Sequence, residues 1–188
     1  MDVARQTLLH AFDRYAARWP GESDVAHFVQ WLGEQAQPFH RQTRAGHFTG
    51  SAWLVSADGE RVLLMLHRKL GRWLQPGGHA DGEADLANVA LREAEEETGL
   101  RDLYVLPEVF DMDRHVIPAR RDEPEHWHYD VRYVVVARGD EAFVVNEESL
   151  ALDWRPVADI AADPSADESL RRMATKWLAV REAALAGR

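Results

Sequence analysis

Three glutamates, Glu93, Glu96 and Glu97, stand at i, i+3 and i+4 in the run Arg92-Glu93-Ala94-Glu95-Glu96-Glu97-Thr98-Gly99-Leu100. On a helix that spacing puts all three carboxylates on one face. At roughly 100° per residue, Leu86, Val89 and Ala90 fall on the same face one and two turns earlier, so the acids continue an apolar stripe that should point inward. Glu95 projects the other way, toward Asn88 and Arg92. Like charges at i, i+4 already oppose one another by about 0.2–0.5 kcal/mol on an exposed helix, and partial burial raises that penalty. The arrangement calls for a cation, and the hard divalent ions that prefer oxygen ligands, Mg²⁺ or Mn²⁺, suit it. A generic glutamate-rich helix is a solvated face. The apolar continuation and the glycines in front argue against that here.

The elements that hold these residues can be read outward from the cluster. Asp85 is a suitable N-cap and Gly99 a suitable C-terminal glycine, which predicts a helix between them. Pro76-Gly77-Gly78 delivers the chain into that helix through a turn that permits close backbone approach to a ligand. Ahead of it, 48–55 and 61–66 read as strands around Ala57-Asp58-Gly59-Glu60, a hairpin. Between hairpin and turn, His67, Arg68, Lys69 and Arg72 form a basic island in an acidic protein. Arg68 and Arg72 are candidates for contact with substrate phosphates, against the alternative of ordinary surface charge.

Two further strands are expected at 103–112 and 127–137. By strict alternation His126, His128, Asp130 and Arg132 share one face of the second, with Trp127, Tyr129, Val131 and Tyr133 on the other. A His-x-His-x-Asp face suits a transition metal, a polar substrate cleft or plain solvent. On the cleft reading His128, Asp130 and Arg132 are substrate-binding candidates. A last strand near 150–154 and a closing helix follow. Pro164 and the capping pattern Ser165-x-x-Glu168 mark the helix start, and Leu170, Met173, Trp177 and Val180 form its core face.

Composition bounds the rest. The 188 residues favour one domain with an appendage, and 46% hydrophobic content with seven Trp is ample for a core. With no cysteine there is neither a disulfide framework nor thiol chemistry, which fits a cytoplasmic setting. The first twenty residues, with an early Asp and scattered charges, do not read as a secretory signal, and no apolar run has the length of a membrane span. A net charge of −10 argues against nucleic-acid and membrane surfaces as partners. Residues 1–43 read as two helices, with Leu8, Phe12, Tyr15 and Trp19 on one and Val25, Phe28, Val29 and Leu32 on the other. They are treated as an N-terminal helical extension ahead of a domain at 44–188. Packing on that domain is the default, with pairing in a homodimer or shaping of a substrate pocket as the alternatives.

The run from Arg92 to Leu100, with Gly78 at the right distance before it, resembles the Nudix box, the signature Gly-x5-Glu-x7-Arg-Glu-U-x-Glu-Glu-x-Gly-U of Nudix hydrolases, if Ala94 stands as the aliphatic U. One position departs: the signature's first glutamate falls on Ala84, and Glu83 lies one residue early. The resemblance implies an α/β fold of the Nudix type, an α/β/α sandwich with a mixed sheet over roughly 44–185. It implies Glu93, Glu96 and Glu97 as metal ligands and Glu93 also as general base. It implies Arg92 as the arginine that orients the carboxylates, and Gly78 as a carbonyl ligand. An acidic residue outside the box often assists in this family, and Glu147 and Glu148 stand in that part of the chain, with Glu148 taken as the catalytic candidate. The implied reaction is Mg²⁺- or Mn²⁺-dependent hydrolysis of a phosphoanhydride in a small nucleotide-type substrate: a nucleotide sugar, ADP-ribose, a nucleoside triphosphate or a dinucleoside polyphosphate. A catalytically silent nucleotide-binding or regulatory protein of the same fold is the alternative. An isomerase of this fold acting on isopentenyl diphosphate would bring a catalytic cysteine, which this chain lacks.

Overall fold

The computed structural model describes residues 2–22, 24–120 and 123–186. Two helices come first, α1 (Val3–Arg18) and α2 (Val25–Glu34). Then come β1 (Gly46–Val55), β2 (Arg61–His67), β3 (Trp73–Leu74), β4 (Gly77–His79) and the helix α3 (Leu86–Thr98). The chain continues with β5 (Leu103–Ile117), β6 (His126–Ala137), β7 (Ser149–Pro156), α4 (Val157–Ala162) and α5 (Glu168–Ala186).

The strands make one mixed sheet in the order β3-β2-β1-β6-β5, with β4 added to β1 and β7 to β2. Its spine is β1, buried at every residue and running parallel to β6 from Gly46 opposite Trp127 to Val55 opposite Val136. The hairpin to β2 forms as the turn residues suggest, with Gly59 at φ 69°. Beyond the Val55–Val62 pair, however, other strands take the facing edges. β3 pairs with Met65 and Leu66 of β2, and β4 pairs with Thr49, Gly50 and Ser51 of β1. The hairpin therefore opens into a fork, and the segment that leads into α3 fills it.

Alternation along β1 divides the protein into two layers. Phe48, Ala52 and Leu54 face a core shared with α1, α2 and α3, while Trp53 and Val55 face a second core under α4 and α5. The first two helices thus pack on the sheet: Phe12 and Phe28 are fully buried and stack edge-on at 5.9 Å between ring centroids. Val29, expected inside, is partly exposed. The closing helix begins at Glu168, with Asp167 Oδ1 accepting from the Ser169 N–H at 3.0 Å. Ser165 instead donates its hydroxyl to Asp163, so the capping role falls two residues later than the sequence pattern suggests. The short helix α4 has no counterpart in the sequence reading.

A buried ionic network joins the layers. Asp111, on β5 and fully buried, accepts from Arg132 of β6 at 3.1 Å, Arg172 of α5 at 2.8 Å and Lys176 of α5 at 2.7 Å. Lys176 reaches on to Tyr15 of α1 at 2.7 Å and to Glu22. Burial alone would raise the Asp111 carboxyl, but the Arg172 hydrogen bonds and the Arg132, Arg172 and Lys176 charges outweigh it and hold the group below the usual carboxylate range. A depressed folded-state pKa contributes stability above the unfolded value and loses it as pH falls through the folded one. Removing one partner of such a set leaves uncompensated buried charge. Asp111→Asn should therefore destabilise the protein by about 3 kcal/mol, the low end for a broken buried pair, because Asp113, Asp130 and Glu22 still serve the cations. Urea denaturation at neutral pH measures it, and a loss under about 1 kcal/mol would mean the network behaves as a surface one.

Candidate active site

The site is built where β4 meets α3. Asp85 Oδ1 accepts from the Asn88 N–H at 3.2 Å and starts the helix; Gly99, at φ 71°, ends it. Leu86, Val89 and Ala90 are buried against the sheet, as their spacing predicts. The backbone approach is close: a Cβ on Gly50 would sit 2.8 Å from a Val89 methyl. This contact brings the second half of α3 against β4. A Cβ on Gly78 would lie 2.5 Å from the Glu93 carboxyl carbon, so a side chain there would push that carboxylate off the strand.

Glu97 is the innermost of the acids, 5% exposed. Its Oε2 accepts the Gly77 N–H at 2.8 Å, and among the described residues no arginine or lysine pairs with it. Burial, with the charges of Glu93, Glu148 and Glu96 added, pushes its carboxyl up to about 8 against the opposing hydrogen bond from Gly77. Glu93 is also raised, first by burial and then by Glu96 and Glu148, against the hydrogen bond and charge of Arg92. Arg92 donates to Glu93 Oε1 at 2.9 Å and to the His79 carbonyl at 3.0 Å, bridging helix and strand. Glu96 is exposed at the rim.

Glu148 enters from another part of the chain. The loop before β7 is held against α3 by Asn146, whose side-chain amide reaches the Glu96 carbonyl at 3.5 Å while its Oδ1 accepts from Glu148 N at 2.9 Å. Glu148 thereby acts on both Glu93 and Glu97, whereas Glu147 does not figure among the charges that shift either. Arg68 belongs to this loop's support. Its guanidinium donates to the Glu147 carbonyl at 2.8 Å and the Ser149 carbonyl at 3.1 Å. Arg72 is largely exposed, 3.7 Å from Asp167. Glu83 accepts from Asp85 N at 2.9 Å, a helix-entry contact, while Ala84 packs against the core.

The histidine strand divides in two. Asp130 and Arg132 are buried: Asp130 accepts from Thr49 at 2.9 Å, Ser51 at 2.8 Å and Arg132 at 2.7 Å, so its lone pairs and those donors are already paired within the protein. Arg132 belongs to the Asp111 network. Neither presents a free group to a substrate. His128 instead lies in a patch of imidazoles with His47, His79, His115 and His126. Burial and the neighbouring rings hold His128 at about 2 and His47 at about 4. No local spacing in the sequence connects His47 and His79 to His126; the strand register does. The Gly77 amide was legible only as part of a turn.

The donor set at α3 suits a hard divalent cation: carboxylates and no thiolate. The buried Glu97 carboxyl, with no cationic partner among the described residues, carries that fit. Its raised pKa also has a measurable consequence. Between the unfolded carboxylate value of about 4.3 and the folded value of about 8, the native state holds more protons than the unfolded one, so stability falls as pH rises. In chelator, the Tm of the wild type should decline through this window and that of Glu97→Gln should decline less. Parallel curves would show that Glu97 is solvated.

Comparison with known proteins gives the same region a wider frame. The NUDIX domain family model matches residues 47–178. The human protein nucleoside diphosphate-linked moiety X motif 6 is 27% identical over 148 residues, 74% of this chain and 43% of its own length. A Mycobacterium tuberculosis protein named "Putative 8-oxo-dGTP diphosphatase 3" is 33% identical over 150 residues, 69% of this chain and 63% of its own. The chain therefore spans less than two thirds of either relative. Among solved structures, a NUDIX-family hydrolase from Clostridium perfringens has a TM-score of 0.56 at 23% identity, covering 74% of this chain and 99% of that one, a likeness of fold. The matched span contains the glycine turn, the glutamate helix and the sheet that supports them, and on that ground the chain belongs to the Nudix family.

Proposed function

We propose that this chain is a divalent-metal-dependent hydrolase that cleaves a phosphoanhydride bond in a nucleoside diphosphate linked to another moiety. The observation that carries the reading is the convergence of Glu93, Glu97 and Glu148 at a strand whose glycine leaves room for one of them. Bound there by Glu93, Glu96 and Glu97, Mg²⁺ or Mn²⁺ would supply charge neutralisation for the diphosphate and acidify a water; the register turns the Gly78 carbonyl toward Gly50 of β1, not toward that ion.

The chain's own residues do the rest. Arg92 fixes Glu93 by holding it and the β4 backbone together, which preserves the orientation on which in-line attack depends. A carboxylate, Glu93 or Glu148, accepts the proton of the attacking water. The water oxygen forms a bond to phosphorus, and the anhydride P–O bond breaks with its electrons on the leaving phosphate. Arg92 at the site offsets part of the substrate's charge in a protein of net charge −10. Arg68 positions the loop that carries Glu148, and its part in phosphate contact is secondary. The 8-oxo-dGTP in the mycobacterial relative's name favours nucleoside triphosphates as the first class to test. The human relative's name keeps other nucleoside diphosphate conjugates in the panel.

Phosphate release, with and without added phosphatase, across triphosphates, nucleotide sugars, ADP-ribose and dinucleoside polyphosphates tests the reading. Metal-dependent turnover of one class is expected, and Glu97→Gln should lower its kcat by about 10²-fold or more with the fold intact. Silence on every class with Mg²⁺ and Mn²⁺ would favour the binding-protein alternative. Glu95→Gln, on the helix face away from the cluster, should be within twofold of wild type, on the order of RT in free energy. Glu148→Gln should lower kcat with little change in KM. An unchanged kcat would remove the loop from the chemistry and leave Glu93 as the base.

A further inference from the structure

The sheet face away from α3 carries a cluster that the reaction above does not use. His47 lies directly opposite His128 across the parallel β1–β6 pair, and His115 lies opposite His128 across the β5–β6 pair. His126 is two residues before His128 on the same face. His79 is opposite Thr49, the next residue along β1 on this face after His47. Five imidazoles from four strands thus form one patch. The rings of His47, His126 and His128 have centroids 4.9–5.1 Å apart. Each of the three offers a ring nitrogen within 4.8 Å of the others.

Three details set this patch apart from surface histidines. His47 is 1% exposed, yet neither of its ring nitrogens has a well-formed hydrogen bond, apart from a contact of the ring with the Thr43 backbone that falls outside normal geometry. A buried polar pair left unmatched is rare in folded proteins and asks for a reason. His126 Nδ1 lies 2.8 Å from the Pro124 carbonyl, which makes that nitrogen the N–H and directs the lone pair of Nε2 into the cluster, the outer contact usual for a ligating imidazole. His126 Nε2 and His128 Nε2 are 3.3 Å apart. In a tetrahedral site with metal–nitrogen bonds of about 2.0–2.1 Å, neighbouring ligand nitrogens are roughly 3.3–3.4 Å apart.

The geometry points to a second metal site, formed by His47, His126 and His128, for a borderline divalent transition ion of the Zn²⁺ type. Imidazole nitrogen suits that class of ion, whereas Mg²⁺ demands oxygen ligands, so the two faces of the sheet select different metals. Glu123, whose Oε1 is 3.7 Å from His126 Nε2, stands at the rim where a fourth ligand would enter. The ion would tie β1 to β6 beside His79, whose neighbour Gly78 admits Glu93 on the other face. The site is independent of the proposed hydrolysis and is read without it.

The test uses the full chain, free of any polyhistidine tag, stripped with chelator and saturated with Mg²⁺, then titrated with Co²⁺ as a visible probe for Zn²⁺ sites. Wild type and Glu97→Gln should each bind one equivalent and show the intense visible absorption of tetrahedral cobalt, which Zn²⁺ then bleaches. His126→Gln and the half-buried His128→Gln should lose that spectrum or weaken binding at least tenfold. Should His126→Gln fail to fold, His128→Gln and the wild-type spectrum still decide. No tetrahedral spectrum in folded wild type, or one unchanged in a folded histidine variant, would overturn the assignment.

Discussion

Crowded negative charge at the buried end of a helix is the constraint on which the site depends. Glu97 is packed against β4 with a single backbone N–H for company, and the charges of Glu93 and Glu148 act on it. An unfolded chain would keep these carboxylates apart in water. The fold brings them together because Leu86, Val89 and Ala90 drive the same helical face into the core, and apolar burial at about 25 cal/mol per Å² supplies the driving force for that placement. Strain of this kind persists where a function uses it. A cation relieves it.

The spine strand β1 gives the constraint its geometry. One of its faces holds Phe48 and Gly50 under the helices, and the other holds His47, Thr49 and Ser51 beneath the imidazole patch and the Asp130 side chain. Gly50 lets α3 approach, Gly78 lets Glu93 approach, and the residue next to Gly78 faces the opposite way. Two chemically distinct surfaces are therefore back to back across a single layer of backbone. The Asp111 network holds α1 and α5 to the sheet and reaches the imidazole surface through Asp113, which shares Arg132 and Arg172 with Asp111 and lies 3.1 Å from His115 Nδ1.

Much of this was legible in the chain, and what was not has identifiable causes. Helical spacing shows the α3 carboxylate face directly, and the caps at Asp85 and Gly99 bound it to the residue. Period-two alternation places His126 through Arg132 on one face, but alternation cannot say what lies above each position. Asp130 and Arg132 look like cleft residues because their partners, Asp111, Asp113 and the hydroxyls of β1, are contributed by remote elements. His47 and His79 enter the imidazole patch only through sheet register, which no local pattern encodes. Arg68 reads as a free cation until the loop before β7 is seen to fold over it. The capping pattern at Ser165 is matched in sequence yet not used, since Asp167 is closer to the first turn of α5.

The central claim is that Glu97 is held protonated near neutral pH until a divalent cation takes its place beside Glu93. Proton release on adding Mn²⁺ to the chelator-treated, unbuffered protein at pH 7 tests it most directly, because metal ligands must give up their protons on binding. The account predicts release of roughly one proton per site, from a carboxyl whose pKa is about 8 in the metal-free fold, and its loss in Glu97→Gln. Mn²⁺ binding without proton release would contradict it: Glu97 would already be ionised, and the charge crowding would not be what prepares the site.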